Sequence, residues 1–173
     1  MDSMIIPLNG WAVGERVFRF HADTEFFHTF DNTEILDADV EAQVRVVKQG
    51  QRKVEVELAL GGSLTVPCDR CLEPLQVPVK TRHAFSVRFD VPSGSDLSED
   101  GKEILPLGSA DADLDLQQAV YDYACLALPI QRVHPEGACN PDTVRFLCQE
   151  ERKDEEAAPS SPFAALKGLF DSK

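Results

Sequence analysis

Between Val40 and Leu60 apolar and polar residues alternate with a period of two. Val40, Ala42, Val44 and Val46 are separated by Glu41, Gln43 and Arg45, and the run Val54-Glu55-Val56-Glu57-Leu58-Ala59-Leu60 repeats the pattern beyond Lys48-Gln49-Gly50-Gln51. A period of two places alternate side chains on opposite faces of a strand, whereas a helical face would recur every three or four residues. The stretch is therefore predicted to form an amphipathic antiparallel hairpin, apolar on one face and charged on the other. A chain built around it must supply something to cover the apolar face.

The neighbouring segments extend the sheet. Gly61-Gly62 is expected to turn the chain, and Ser63 to Val66 to open a third strand. Leu75, Val77 and Val79, then Phe85, Val87 and Phe89, continue at intervals of two. Upstream, Met4 to Leu8 and Arg16 to Phe20 are expected strands, the first closed by the turn signal Asn9-Gly10. Phe26, Phe27 and Phe30 are expected to face the core in a segment whose class stays open. Residues 91–113, rich in Pro, Ser, Gly and acidic side chains, predict a long, mobile acidic loop. Asp115, with Gln118 three residues on, resembles a capping box opening a helix through Leu116, Ala119, Val120, Tyr123 and Ala127, ended by Pro129. The expected fold class is α+β: an antiparallel β-meander sheet packed by one main helix, with the acidic loop and a flexible C-terminal tail. Residues 1–148 are expected to form one domain, 149–162 a disordered linker, and 163–173 a short amphipathic segment.

At 173 residues the chain is long enough for one ordinary core. No apolar run reaches the roughly 18–20 residues of a membrane helix. Met1-Asp2-Ser3-Met4-Ile5-Ile6-Pro7 lacks the features of a signal peptide, so the expected location is the cytoplasm. In a reducing compartment the five cysteines (Cys68, Cys71, Cys125, Cys139 and Cys148) point to metal, catalytic or buried thiols rather than disulfides. The net charge of −13 opposes nonspecific nucleic-acid binding. From Gln43 to Arg88, however, Arg45, Lys48, Arg52, Lys53, Arg70, Lys80, Arg82 and Arg88 outnumber Glu55, Glu57, Asp69 and Glu73. A locally basic sheet with acidic flanks could meet RNA on one face and a basic protein on another. A solvated sheet surface is the plainer reading.

The chemistry concentrates in Val66-Pro67-Cys68-Asp69-Arg70-Cys71-Leu72-Glu73-Pro74. Two thiols two residues apart suit half of a tetrahedral zinc site. His134, Cys139 and Cys148 are candidates for the other half, and the spacing leaves the choice among them open. Cys125, offset from the helical stripe, reads as a packing residue. A thiol redox pair is the alternative, but such pairs sit at a helix N-terminus, and alternating residues follow Pro74 instead. The chain has no phosphate loop, nucleophile elbow or His-Glu-x-x-His motif, and its four histidines are dispersed, so it does not read as an enzyme.

These features resemble the YceD family, the large ribosomal RNA subunit accumulation proteins. The resemblance lies in Cys68-Asp69-Arg70-Cys71-Leu72-Glu73 after a long hairpin, the acidic stretch, and Asp115-Leu116 opening a helix that ends Leu126-Ala127-Leu128-Pro129. Pro135 to Cys139 and Phe163-Ala164-Ala165-Leu166 also fit. It implies a non-enzymatic bacterial factor supporting accumulation of large-subunit (23S) ribosomal RNA. Its partner would be that RNA, met by Arg45, Lys48, Arg52, Lys53, Arg70, Lys80 and Arg82, or a basic large-subunit ribosomal protein held by the acidic flanks. The overall charge slightly favours the protein. Some members carry a Cys-rich C-terminal segment that looks like a full metal site; this chain departs from it, with only Cys139 and Cys148 beyond the helix.

Overall fold

The computed structural model describes residues 4–8, 10–50, 53–89, 103–107 and 113–147. They fall into two compact units. One comprises the chain up to Pro67 together with Pro74–Arg132. The other comprises Cys68–Glu73 and the chain from Val133 onward.

The first unit is built on a five-stranded sheet whose strands neighbour one another in chain order. Its strands are β2 (Gly14–Asp23), β3 (Asp37–Lys48), β4 (Lys53–Pro67), β5 (Pro74–Phe89) and β6 (Glu103–Leu107). The alternation that identified the hairpin decides which face is buried. Val40, Val44, Val46, Val54, Val56 and Leu58 are at most 1% exposed, while Glu41, Gln43, Arg45 and Glu57 lie on the solvated face. Each fully buried Val or Leu contributes about 1.5–3 kcal/mol relative to exposure. Val77, Val79, Phe85, Val87 and Phe89 of β5 join the same core.

Two expectations change at the strands. Gly61-Gly62 does not turn the chain; it lies inside β4, where Val40 pairs with Gly62 and Gly62 with Val79 without a break in register. Gly62 has φ +150°, and a Cβ there would lie 2.0 Å from the Asp39 carbonyl oxygen, so the glycine serves a close backbone approach. The expected acidic loop contains a strand: β6 pairs parallel to β5, with Ser86 opposite Ile104 and Val87 opposite Leu105. The sheet is thus mostly, not wholly, antiparallel. Residues 91–102 and 108–112 of that stretch, and the expected linker and C-terminal segment, lie outside the described residues.

Other elements share the core. β1 (Ile5–Pro7) pairs antiparallel with β7 (Asp113–Asp115), joining residues more than a hundred positions apart and burying Ile6 and Leu114. The Phe-rich segment is a one-turn helix, α1 (Thr24–His28). Asp23 Oδ1 accepts from the Phe26 N–H at 2.9 Å, and Phe26 and Phe27 are buried. His28 ends this helix, and its ring bonds the Ile35 carbonyl. The later helix, α2 (Gln117–Leu126), buries Val120 and Ala124. Asp115 Oδ1 accepts from the Gln117 N–H, but Gln118 bonds Asp122 instead of reaching back, so no capping box closes. Cys125 is half-buried in α2, as its offset from the stripe predicted for a packing residue. Tyr121 of α2 packs against Phe27 of α1, with ring centroids 6.0 Å apart, and stacks on Phe30 just beyond α1 at 4.3 Å. No helix among the described residues is long and apolar enough to cross a membrane.

Candidate metal centre

The chain leaves β4 at Pro67 and enters β5 at Pro74, and these two prolines are paired in the ladder. Between them, Cys68 to Glu73 form a tight loop closed by Cys68 N–H to Glu73 carbonyl and Leu72 N–H to Cys68 carbonyl, both 2.9 Å. Leu72 takes φ +62°, a left-handed conformation that turns the backbone back after the second thiol. The N–H groups of Cys71 and Arg70 are thereby aimed at Cys68 Sγ. No helix begins at this pair, because β5 starts at Pro74.

The second half of the site is also local in origin. Pro135 to Ala138 form a turn, with Ala138 N–H to Pro135 carbonyl at 3.0 Å and Gly137 at φ +80° in the position a type II turn reserves for glycine. The turn doubles the chain back so that Cys139 returns to His134, with Sγ to Nδ1 at 4.0 Å. Asn140 then opens a helical segment at 141–147. Its Oδ1 accepts from the Asp142 N–H and its Nδ2 donates to Glu73 Oε1 at 2.6 Å, tying the two halves together.

Cys68, Cys71, His134 and Cys139 offer four ligand atoms that all lie within 4.8 Å of one another. Cys71 Sγ is 3.4 Å from His134 Nδ1, and Cys68 Sγ is 4.0 Å from Cys139 Sγ. Zinc–sulfur bonds of about 2.3 Å set sulfur–sulfur edges of about 3.8 Å in a tetrahedron, so the observed edges fit that ion. Three cysteines and one histidine are a recurrent structural zinc set, and Cys68 and Cys71 are buried. Electrostatics points the same way. Burial works to raise the Cys68 thiol, but the N–H groups of Cys71, Arg70 and His134 bring it down to about 6. The Cys139 thiol is pushed up, first by burial, then by its hydrogen bonds and charge interactions with Cys71 and Cys68. Crowding of thiolates is what a divalent cation relieves. The cluster could hold a metal ion such as zinc.

Of the five candidate ligands, the structure therefore gathers four; Cys148 lies outside the described residues. The candidate cations separate. Arg45 is held by Glu15, at 2.7 and 2.8 Å, and by Glu57 at 3.2 Å. Lys48 Nζ donates to the carbonyls of Leu8 and Trp11. Lys80 and Arg82 are exposed on the polar face of β5, and Arg70 is exposed in the cysteine loop. Arg52 lies outside the described residues, as does the side chain of Lys53. Arg19 was missed: it stands on the same polar face, opposite Gln43, and only the pairing register reveals that.

The family model for the large ribosomal RNA subunit accumulation protein YceD matches residues 56–170, which include the whole cysteine–histidine cluster. The chain belongs to the YceD family. The match begins in β4 and takes in both thiols of the loop, the helix and the His134–Cys139 turn, the segments on which the resemblance rested. The family's name links this YceD chain to accumulation of large-subunit ribosomal RNA. No solved structure matches it.

Proposed function

We propose that this chain is a non-enzymatic factor in assembly of the large ribosomal subunit, supporting accumulation of 23S ribosomal RNA in the cytoplasm. It acts by binding, and a zinc ion held by Cys68, Cys71, His134 and Cys139 stabilises it. The observation that carries the reading is the four-ligand cluster inside a YceD family match. Four protein ligands complete a tetrahedral shell, which leaves no position for water or substrate and makes the site structural rather than catalytic. The bound ion would hold the Cys68 loop against the His134–Cys139 turn.

Metal analysis of protein purified without chelator tests the site. One zinc per chain is expected in the wild type and none in Cys71→Ser, whose thermal midpoint falls. Depletion tests the cellular role, since it should lower large-subunit RNA relative to small-subunit RNA; an unchanged ratio would sink the assembly reading. A thiol oxidoreductase is favoured only by the lowered Cys68 thiol. It requires a reversible Cys68–Cys71 disulfide, and thiol reactivity unchanged in Cys68→Ser would exclude Cys68 as its nucleophile.

A further inference from the structure

The solvated face of the five-stranded sheet is not a uniform charged surface. The register sets Arg19, Gln43, Ala59 and Arg82 in one row across β2, β3, β4 and β5, and His21, Glu41, Gly61 and Lys80 in the next. At both rows β4 presents at most a methyl group. The taller side chains of β3 and β5 therefore flank a depression of about 710 Å³ lined by Glu41, Gln43, Ala59, Gly61, Lys80 and Arg82. Within the adjoining row Arg45 is neutralised by Glu15 and Glu57. Among the described residues neither Lys80 nor Arg82 has a carboxylate at ion-pair distance, and Arg19 in the same row has none either.

We infer that this groove holds the sugar–phosphate backbone of a single-stranded RNA segment, with Lys80 and Arg82 on neighbouring phosphates. The two cations stand two residues apart on one strand, about 6.6 Å along its axis. That suits consecutive phosphates of an extended strand. Gln43 supplies neutral hydrogen-bonding groups to sugar or phosphate. No Phe, Tyr or Trp stands in either row, and the His21 imidazole is bonded to Asp39 at 2.9 Å, so the contact positions the RNA without reading its bases. A basic peptide fits less well, because Glu41 is the one carboxylate lining the groove while Lys80 and Arg82 line it with positive charge. The inference rests on the assembly reading and names the partner for it.

Glu41 makes the charge logic testable in both directions. The full-length, metal-loaded chain is titrated against a fluorescently labelled single-stranded RNA homopolymer, by anisotropy, at several salt concentrations. The K80E/R82E double variant should bind at least tenfold more weakly. Its log K against log salt slope should be shallower by about 1.4, since each lost phosphate contact on a single strand accounts for about 0.7. E41Q should bind about threefold more tightly, and R145E, an exposed charge change on the 141–147 segment, should match the wild type. Circular dichroism confirms that each variant is folded. Wild-type affinity and slope in K80E/R82E, or no RNA binding by the wild type at low salt, overturns the groove. So does tighter capture of a basic large-subunit protein by K80E/R82E, which would assign the face to a protein. Complementation separates the two readings: if depletion lowers large-subunit RNA and K80E/R82E restores it fully, the groove fails while the assembly role stands.

Discussion

At Gly62 one hydrogen atom decides whether two strands can pair. A methyl group there would meet the Asp39 carbonyl oxygen and the Val40 Cα at distances that real Cβ atoms do not adopt, and φ +150° is a conformation L-residues avoid. Gly62→Ala should therefore destabilise the protein by about 3 kcal/mol, read as a lower urea midpoint. Gly61 has open space around its Cβ position, so Gly61→Ala should cost much less and is the control. A second residue-scale prediction concerns His21, whose Nε2 lies 2.9 Å from Asp39 Oδ1. That hydrogen bond, with the charges of Asp39, Asp23 and Glu41, raises the imidazole above its ordinary 6.5. A raised folded-state value means the pair contributes fully below the unfolded pKa and is lost as pH rises through the folded one. Both side chains are exposed, so the contribution is small. NMR titration should place the His21 midpoint above 6.5 in the wild type and lower in Asp39→Asn; an equal midpoint in both would show that Asp39 is not the cause.

Among the elements, the long strands carry the stability and were the easiest to anticipate. Leu58 is fully buried in β4 between neighbours from β3 and β5. Leu58→Ala should cost about 2–5 kcal/mol in urea unfolding, whereas Glu57→Ala, on the opposite face of the same strand, should cost well under half of that. The elements that escaped anticipation did so for physical reasons. Gly61-Gly62 has turn composition, but hydrogen bonds on both flanks keep it extended. β6 is five residues long, includes Pro106, and exists only through parallel pairing with β5, a partner choice that no local pattern reports. In α1 the adjacent Phe26 and Phe27 are both buried, so its apolar residues match neither the alternation of a strand nor the stripe of a longer helix.

For the molecule as a whole, the sheet unit has its own core, while the unit containing Cys68–Glu73 and the chain from Val133 is closed by side chains around the proposed metal. Metal binding and folding should be coupled in the second unit only. Treatment with a strong chelator should expose the His134–Cys139 segment to limited proteolysis while the far-UV β signal of the sheet persists. Loss of both together would mean that the ion supports the sheet as well.

The sequence alone determined the faces of the hairpin, because alternation every two residues leaves a strand only one way to bury Val40, Val44, Val54 and Leu58. It also determined half of the candidate metal site, because Cys-x-x-Cys brings its two thiols together within one turn. Tertiary structure decided the other half: His134 lies 63 positions from Cys71 and Cys139 lies 71 from Cys68, and spacing along the chain carries no information about contacts that distant. It likewise decided which cations remain available. Arg45 and Arg82 are equivalent by composition and by strand position, but the register places Glu57 beside Arg45 and only Ala59 beside Arg82. One is neutralised and the other is left facing solvent, because partners in a sheet are chosen across strands and not along them.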